Sequence, residues 1–278
     1  MVENARDNRT YSPLDRFAGC GARLPRSIGG MRNRQQRDLH AASFDRAADV
    51  YDASRPSYPA DAVSWLLDGV EGPVLDLGAG TGKLTAALVE RGRSVTAVDP
   101  SPEMLRVLRG RLPGVEAVEG TAERIPTPDR AFALVVVAQA WHWVDPGRAV
   151  PEVARVLRPG GRLGLIWNER DESVGWVREL GQLMDAGTAA FDDESEPVVP
   201  APFGPLERHE TRWVQALTHD GLLDLARSRS YFITKDADAQ AAVIQSLRRL
   251  LREHPDLAGR DTIELPYVTR SYRTTLGA

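Results

Sequence analysis

Short apolar segments alternate with helical segments through the middle of this chain. Residues 73–77, 95–98, 115–118, 131–138 and 162–167 have the apolar composition of short strands, and helical periodicity appears between most of them. Residues 131–138 are apolar throughout, which is typical of a strand buried on both faces. Because strands that alternate with helices form parallel sheets with right-handed crossovers, the sequence predicts an α/β fold.

The last third of the chain adds elements to this sheet. Helices are predicted at residues 174–185, 220–228 and 237–253, and strands at residues 207–217 and 262–274. Pro266 cannot donate a hydrogen bond to a neighbouring strand, so it favours an edge position or a bulge. The sequence LRPGG at residues 157–161 is expected to end the preceding helix. We therefore expect a Rossmann-like, doubly wound sheet of seven strands, mostly parallel, with an antiparallel last strand at its edge.

The first 40 residues differ in composition from the rest of the chain. They contain scattered glycine and proline, eight arginines and no apolar periodicity, which predicts a disordered basic tail. A tail that touches RNA, a targeting peptide, or a true start at Met31 are alternatives. We expect one domain over residues 41–278, with lid helices at 41–70, a ligand-binding core at 71–170, and a C-terminal part at 171–278 that completes the sheet and covers the substrate.

Composition excludes several classes of site. Cys20 is the only cysteine, so a disulfide within the chain and a metal site made of several thiolates are excluded, and a reducing cytoplasm is expected. The net charge of -4 argues against general nucleic-acid binding, and no apolar run reaches the roughly 18 residues of a membrane span. Lys83 and Lys235 are the only lysines among 35 basic residues, which indicates a GC-rich, bacterial genome. No metal site and no oligomeric state are indicated.

A glycine-rich turn follows the first predicted strand. Asp76 lies in that strand, and Gly78, Gly80 and Gly82 come next, before a helix. Glycines allow backbone N–H groups to approach a ligand closely, and ligands of open α/β sheets bind at the carboxyl ends of strands. The turn is therefore the predicted binding site.

Two known glycine patterns fit this turn poorly. A Walker phosphate loop requires glycine at position 77 and serine or threonine at position 84, where this chain has Leu77 and Leu84. The dinucleotide fingerprint requires glycine at position 83, which is Lys83. A dinucleotide-dependent oxidoreductase stays as an alternative that tight NAD binding would support.

The spacing Asp-x-Gly-x-Gly-x-Gly from Asp76 to Gly82 resembles motif I of class I S-adenosylmethionine-dependent methyltransferases. Four further segments resemble the family in the same order, namely Asp99 at the end of the second strand, PSPEML at 100–105, GTAE at 120–123 and LRPGG at 157–161. The resemblance spans about residues 44–170 and implies S-adenosylmethionine as the cofactor. We then expect Gly80 and the side chain of Asp99 to lie close enough to touch one nucleoside.

The resemblance also implies roles for individual residues. Asp99 would bind the two ribose hydroxyls, Met104 would lie against the adenine, and Asp76 would contact the cofactor amine or its water shell. Thr121 replaces the acid that the family usually carries, so a carboxylate contact to the adenine amine is not expected there. The expected cofactor-binding residues are Tyr51, Arg55, Asp76, Gly78, Ala79, Gly80, Thr81, Asp99, Pro100, Met104, Thr121, Ala122, Glu123, Gln139 and Ala140.

The segment after the fourth strand is the candidate acceptor wall. His142 belongs to the residue type whose ordinary pKa suits a general base, and it is the candidate catalytic residue. Trp141, Trp143 and Arg170 are the candidate substrate-binding residues, because indoles offer apolar or cation-stacking walls. The alternative is that His142 helps to cap the next helix and the tryptophans pack under the sheet. The segment lacks the Asn/Asp-Pro-Pro-Tyr/Phe sequence typical of nucleobase and amide N-methyltransferases.

Residues 44–59 resemble the lid helix of the methyltransferase type 11 and trans-aconitate methyltransferase-like group. That resemblance implies that Tyr51 and Arg55 close over the cofactor, with Arg55 near its methionine carboxylate, a group that a bidentate arginine suits. The sequence thus predicts methylation of a small molecule at oxygen, on a carboxylate or a hydroxyl. A catalytically silent S-adenosylmethionine-binding regulator and an RNA methyltransferase are the alternatives.

Overall fold

The computed structural model describes residues 55–185 and 196–277. Tyr51, the basic tail and most of the expected lid segment lie outside these residues. The strands are β1 Val74–Leu77, β2 Val95–Asp99, β3 Glu116–Glu119, β4 Phe132–Ala138, β5 Leu157–Arg170, β6 Glu207–Thr218 and β7 Thr262–Thr275.

Helices connect these strands, and one short 3-10 helix, Trp141–Trp143, follows β4. The α-helices are α1 Ala60–Leu67, α2 Lys83–Val89, α3 Pro102–Arg111, α4 Pro146–Val156, α5 Gly175–Asp185, α6 His219–Arg227, α7 Ser230–Ile233 and α8 Ala237–Glu253. Within the described ranges, no helix is both long enough and apolar enough to cross a bilayer.

The seven strands form one sheet in the order β3-β2-β1-β4-β5-β7-β6. The first five strands pair in parallel, and β7 pairs antiparallel with both β5 and β6. This confirms the predicted fold class. Since β2 and β4 lie on opposite sides of β1, the direction of winding reverses there, and a crevice opens at the carboxyl ends of β1 and β4.

The last strand is antiparallel as predicted, but its expected place at the sheet edge is wrong. β7 lies between β5 and β6. Its pairing with β5 ends where Arg170 faces Tyr267, so Pro266 lies just beyond the ladder. The carbonyl oxygen of Pro266 accepts from the Asp171 N–H at 2.9 Å, and the imide nitrogen points the same way, past the end of β5. An inner strand therefore tolerates this proline without losing a ladder hydrogen bond.

The preceding helix ends at the sequence LRPGG, as predicted, but these five residues belong to the next strand, which was expected to begin only at residue 162. Helix α4 ends at Val156, and the five residues form the start of β5. The pairing with β4 shifts there, since Phe132 faces Leu157 whereas Leu134 faces Arg162. A bulge thus absorbs the extra residues, and Gly160 has a φ of 72° within it.

Apolar side chains cover both faces of the sheet. Buried residues of α1 and α2 pack on one face, against Val74, Leu134 and Ile166, and those of α4 pack on the other. A further cluster joins α5, α6 and α8 to β7, and we call it the C-terminal cover; its members include Trp176, Leu180, Met184, Leu222, Leu225, Leu247, Leu265 and Tyr267. The cover places residues from the last third of the chain beside the carboxyl ends of β4 and β5.

Candidate functional site

The glycine turn begins directly at the end of β1. The N–H groups of Gly78 and Ala79 both donate to the Val98 carbonyl of β2, at 2.7 and 3.1 Å. Gly78 has a φ of 75°, and a Cβ there would lie 3.0 Å from the Cβ of Ala140. Gly80 has a φ of 56°, and no atom lies within 4 Å of the position of its missing Cβ. The turn therefore needs glycine to form, and at Gly80 it faces open space that a ligand can occupy.

Asp99 lies beside this turn at the end of β2. Its Oδ2 accepts from the Gly80 N–H at 2.8 Å, and its Oδ1 accepts from the Ser101 N–H at 2.9 Å. The expectation that Gly80 and Asp99 lie close enough to touch one nucleoside is therefore confirmed. A carboxylate can accept about four hydrogen bonds, so ribose hydroxyls can join these two backbone donors.

Asp76 lies in β1, behind the turn, and is fully buried. Thr85 Oγ1 donates to its Oδ2 at 2.6 Å, whereas its Oδ1 has no hydrogen-bond partner within the described part of the chain. Burial raises the pKa of Asp76 to about 7, and the nearby charge of Asp99 adds to this effect while the bond from Thr85 opposes it. A buried carboxyl group with one unsatisfied oxygen fits a cationic donor such as the ammonium of an amino acid.

The expected adenine side is built by α3 and the turn after β3. Ser101 caps α3 by accepting from the Met104 N–H at 3.2 Å, and the Met104 side chain is buried. Pro100 is exposed, Ala122 is buried, and Thr121 is exposed. Glu123 accepts from the Asp145 N–H at 3.1 Å, so its carboxylate ties this turn to the start of α4.

A cavity of about 70 Å³ opens on the other side of the turn, toward β4 and β5. This volume suits one end of a ligand rather than a whole nucleoside, because one water occupies about 30 Å³ of liquid. Asp99 and Met104 are not among its walls. The lining residues are Arg55, Pro56, Tyr58, Gly78, Ala79, Gly80, Thr81, Lys83, Leu84, Ala138, Gln139, Asn168, Arg229 and Tyr267.

Gln139 closes the cavity at the end of β4 in an uncommon backbone conformation. Its φ is 56°, in the left-handed region that costs a residue with a side chain about 1–3 kcal/mol. The backbone N–H of Gln139 donates to the Ile166 carbonyl at 2.9 Å, and its Nε2 donates to the Asn168 carbonyl at 3.1 Å. Bonds to β5 therefore hold this side chain at the cavity wall.

Six of the predicted cofactor-binding residues line this cavity, namely Arg55, Gly78, Ala79, Gly80, Thr81 and Gln139. Sequence reasoning missed Lys83, Asn168, Arg229 and Tyr267. Asn168 belongs to the segment at the end of β5 that was expected to face an acceptor, which was a usable signal. Arg229 and Tyr267 come from the C-terminal cover, and no local pattern in the sequence marks them.

The aromatic segment after β4 lies outside this cavity. Trp141 is buried in the core under α4, and its Nε1 donates to the Val198 carbonyl at 3.2 Å. His142 is exposed, contacts the ring of Trp143 with centroids 4.9 Å apart, and accepts at Nδ1 from Trp167 Nε1 at 3.4 Å. None of the three residues 141–143 is a cavity wall. The packing interpretation fits Trp141, but the cap of α4 is Asp145 and not His142.

Arg170 also points away from the cavity. Its guanidinium lies 3.7 Å from the Met184 sulfur and 3.6 Å from a Glu172 oxygen, against the C-terminal cover. The structure therefore does not bring Arg170 to the cavity wall, where a substrate-binding role was expected. Arg229 stands at that wall instead.

The cavity carries charge of one sign. Arg55, Lys83 and Arg229 are cationic, and none of the lining residues in the described chain is acidic. Positive potential in a small, mostly enclosed volume attracts anionic groups. The arrangement therefore suits a carboxylate or similar anion next to the glycine turn.

Comparison with known proteins connects this geometry to an activity. A family model described as a methyltransferase domain matches residues 75–165. An uncharacterized methyltransferase of Mycobacterium tuberculosis is 53% identical over 241 residues, which cover 87% of this chain and 98% of that protein.

More distant similarity extends to proteins of stated activity and to solved structures. The malonyl-[acyl-carrier protein] O-methyltransferase of Methylococcus capsulatus is 37% identical over 153 residues, which cover 50% of this chain and 55% of that protein. A solved structure from Anaeromyxobacter dehalogenans, described as a type II methyltransferase, is 26% identical with a TM-score of 0.57 and covers 80% of this chain and 97% of that one.

Proposed function

This chain belongs to the S-adenosylmethionine-dependent methyltransferases, and we propose that it methylates a carboxylate oxygen of a small molecule. The observation that carries the proposal is the small cavity beside the glycine turn, which three cationic side chains line and no described acidic side chain enters. An acceptor that presents a carboxylate is complementary to such walls.

The described residues fit S-adenosylmethionine at this turn. Asp99 would bind the ribose, the open side of Gly80 would receive the ligand, and the unsatisfied oxygen of Asp76 would accept from the amine. Arg55 would hold the methionine carboxylate. When bound, the cofactor supplies a methyl group that is attached to a sulfonium sulfur. After transfer of the methyl group, this sulfur belongs to a neutral thioether, which is the leaving group.

In such a reaction, the main role of the protein is to align the acceptor with the methyl group of the cofactor. Holding two reactants in line can contribute roughly 7–11 kcal/mol to the lowering of the barrier. A carboxylate acceptor is ionised at pH 7, so it needs no general base. Under this proposal, the position of His142 outside the cavity is compatible with catalysis, and His142 is not required to move a proton.

Two further observations support a small acidic acceptor. The relative from Methylococcus capsulatus is named for O-methylation of a malonyl group, whose free oxygens are those of a carboxylate. The cavity volume of about 70 Å³ suits a small group. We also infer a cytoplasmic location and no nucleic-acid partner, on the basis of the single cysteine and the net charge of -4.

The test is a transfer assay with tritiated S-adenosylmethionine and a panel of small carboxylic acids, with the corresponding alcohols as controls. Methyl esters release volatile methanol in alkali, whereas methyl ethers, methylamines and C-methyl groups do not. We expect label on one or more acids, and we expect alkali to release it. Label that stays fixed in alkali for every acceptor, or label on the alcohols only, would contradict carboxylate methylation.

A further inference from the structure

The C-terminal cover supplies two cavity walls that the sequence motifs do not mark. We propose that Arg229 and Tyr267 bind the anionic group of the methyl acceptor, with Arg229 pairing with a carboxylate and the Tyr267 hydroxyl donating to it. This inference rests on the proposed carboxylate acceptor and adds the residues that would select it.

Arg229 follows a buried part of the C-terminal cover. It follows α6, whose Leu222 and Leu225 are fully buried, and it comes directly after Ser228, which is fully buried as well. Arg55 Nη2 lies 3.5 Å from the Ser228 carbonyl oxygen. The Arg55 guanidinium therefore lies beside the backbone that immediately precedes Arg229, and both residues line the cavity.

Tyr267 contributes a buried hydroxyl. The residue is 1% exposed and stacks on Trp213, with ring centroids 5.0 Å apart and planes at 17°. Its hydroxyl has no hydrogen-bond partner among the residues that the structure describes. A buried hydroxyl left without a partner costs free energy, so an acceptor atom of a ligand in the cavity would satisfy it.

The order of the strands separates this pair from the nucleoside. Tyr267 lies in β7, which is three strands from β1 in the sheet, and Asp99 lies on the opposite side of β1. Neighbouring strands are about 4.8 Å apart, so the backbone of β7 runs roughly 14 Å from that of β1. A contact there suits the acceptor rather than the ribose or the adenine.

Charge supports the same division. S-adenosylmethionine carries one carboxylate, which one bidentate arginine suits. The cavity is lined by two arginines and one lysine and by no acidic side chain among the described residues, so its walls are complementary to a second anion as well. The acceptor is the other ligand of the reaction, so we assign the second arginine, Arg229, to it.

The test measures binding of malonate to the full-length protein saturated with S-adenosylhomocysteine, with calorimetry for both ligands. We expect Arg229→Gln to weaken malonate binding at least tenfold and Tyr267→Phe to weaken it about threefold. The affinity for S-adenosylhomocysteine should change less than twofold in both variants. Arg229→Lys should recover part of the malonate affinity, because it restores the charge but not the fork of donors.

Arg227→Gln is the matched control. It removes the same charge from the exposed end of α6, where Arg227 pairs with Asp224 at 2.7 Å. Unchanged malonate affinity in Arg229→Gln, equal loss of both ligands, or no malonate binding by the wild-type protein would overturn the inference. The alkali test of the methyl product decides the proposed function separately, so failure of the one is distinguishable from failure of the other.

Discussion

Asp76 is a fully buried carboxyl group whose ionisation is costly in the folded protein. Burial raises its pKa to about 7, above the ordinary value of 3.8 that it regains on unfolding. Between these two values the unfolded chain releases a proton that the folded chain keeps, so stability falls as pH rises from 4 to 7. Three pKa units correspond to about 4 kcal/mol at most, because one unit is about 1.4 kcal/mol.

Asp76→Asn removes this dependence, because an amide oxygen can still accept from Thr85 and no charge is buried. Without ligand, the wild-type protein should unfold at a lower temperature at pH 8 than at pH 5, and the difference should be much smaller in Asp76→Asn. Thermal denaturation at the two pH values measures this. Asp261→Asn, on an exposed turn, is the control. An equal drop in wild type and Asp76→Asn would show that another group causes it.

Asp99 offers the most direct test of the nucleoside side. Asp99→Ala removes a charged acceptor from the position beside Gly80, and loss of such a hydrogen bond costs about 1.5–3 kcal/mol. Calorimetry with S-adenosylhomocysteine should then show an affinity lower by roughly 10- to 150-fold. Glu116→Ala, at the opposite end of β3, should bind as the wild type does. An unchanged affinity in Asp99→Ala would remove this carboxylate from the site.

The sequence predicted the local parts of the site and missed the distant ones. The spacing from Asp76 to Gly82 is read within seven residues, and Asp99 follows from the end of the next strand, since the carboxyl ends of parallel strands meet at one edge. Arg229 and Tyr267 reach the cavity through packing of the C-terminal cover, which leaves no local spacing to detect. The positive φ of Gln139 is equally invisible, because glutamine rarely adopts it.

At the scale of elements, buried polar side chains join β5, β6 and β7 next to the cavity. The fully buried Thr269 hydroxyl donates to Asn168 Oδ1 at 2.6 Å and accepts from Trp213 Nε1 at 2.8 Å. Asn168 Nδ2 in turn donates to the Ser57 carbonyl at 3.0 Å. The network thus attaches the segment that carries Arg55 to the end of β5.

Thr269→Val keeps the shape of the side chain and removes both hydrogen bonds. Because Asn168 and Trp213 would each lose a partner in a mostly buried position, we expect a loss of about 2–4 kcal/mol in the free energy of unfolding. Denaturant titration measures it. Thr211→Val, in the neighbouring strand β6, is the control. It removes an exposed hydrogen bond to Asp61 and should change the free energy of unfolding by less than about 0.5 kcal/mol. Equal effects of the two changes would contradict a special role for the buried network.

At the scale of the whole molecule, local patterns predicted which elements exist better than how they pair. The predicted β2, β4 and α8 coincide with the observed ones to within about one residue, because their periodicity is strong. The insertion of β7 between β6 and β5 depends on pairing across 44 to 66 residues with β6, so no short window of sequence contains it. Pro266 predicted an edge position because proline cannot donate a hydrogen bond to a neighbouring strand. The pairing of β7 with β5 ends at Tyr267, so Pro266 has no paired residue on that side.

Charge is divided unevenly along the chain, which bears on the rival RNA interpretation. Residues 1–40 contain eight arginines and four acidic residues, a net charge of +4, so the remaining chain carries -8. Binding to nucleic acid depends on basic side chains that neutralise phosphates, and a body of charge -8 is repelled by them. An RNA methyltransferase built on this chain would therefore depend on the first 40 residues.

Deletion of residues 1–40 separates the two interpretations. We expect the shortened protein to transfer label to its small acceptor within twofold of the full-length rate, with an unchanged unfolding temperature, because these residues lack the apolar periodicity needed to pack. The comparison uses the tritium assay at 50 and 200 mM salt, since phosphate contacts weaken steeply over that range. The metabolite interpretation would fail if the deletion abolished transfer. It would also fail if RNA were the only acceptor of label and the labelling of RNA fell between 50 and 200 mM salt.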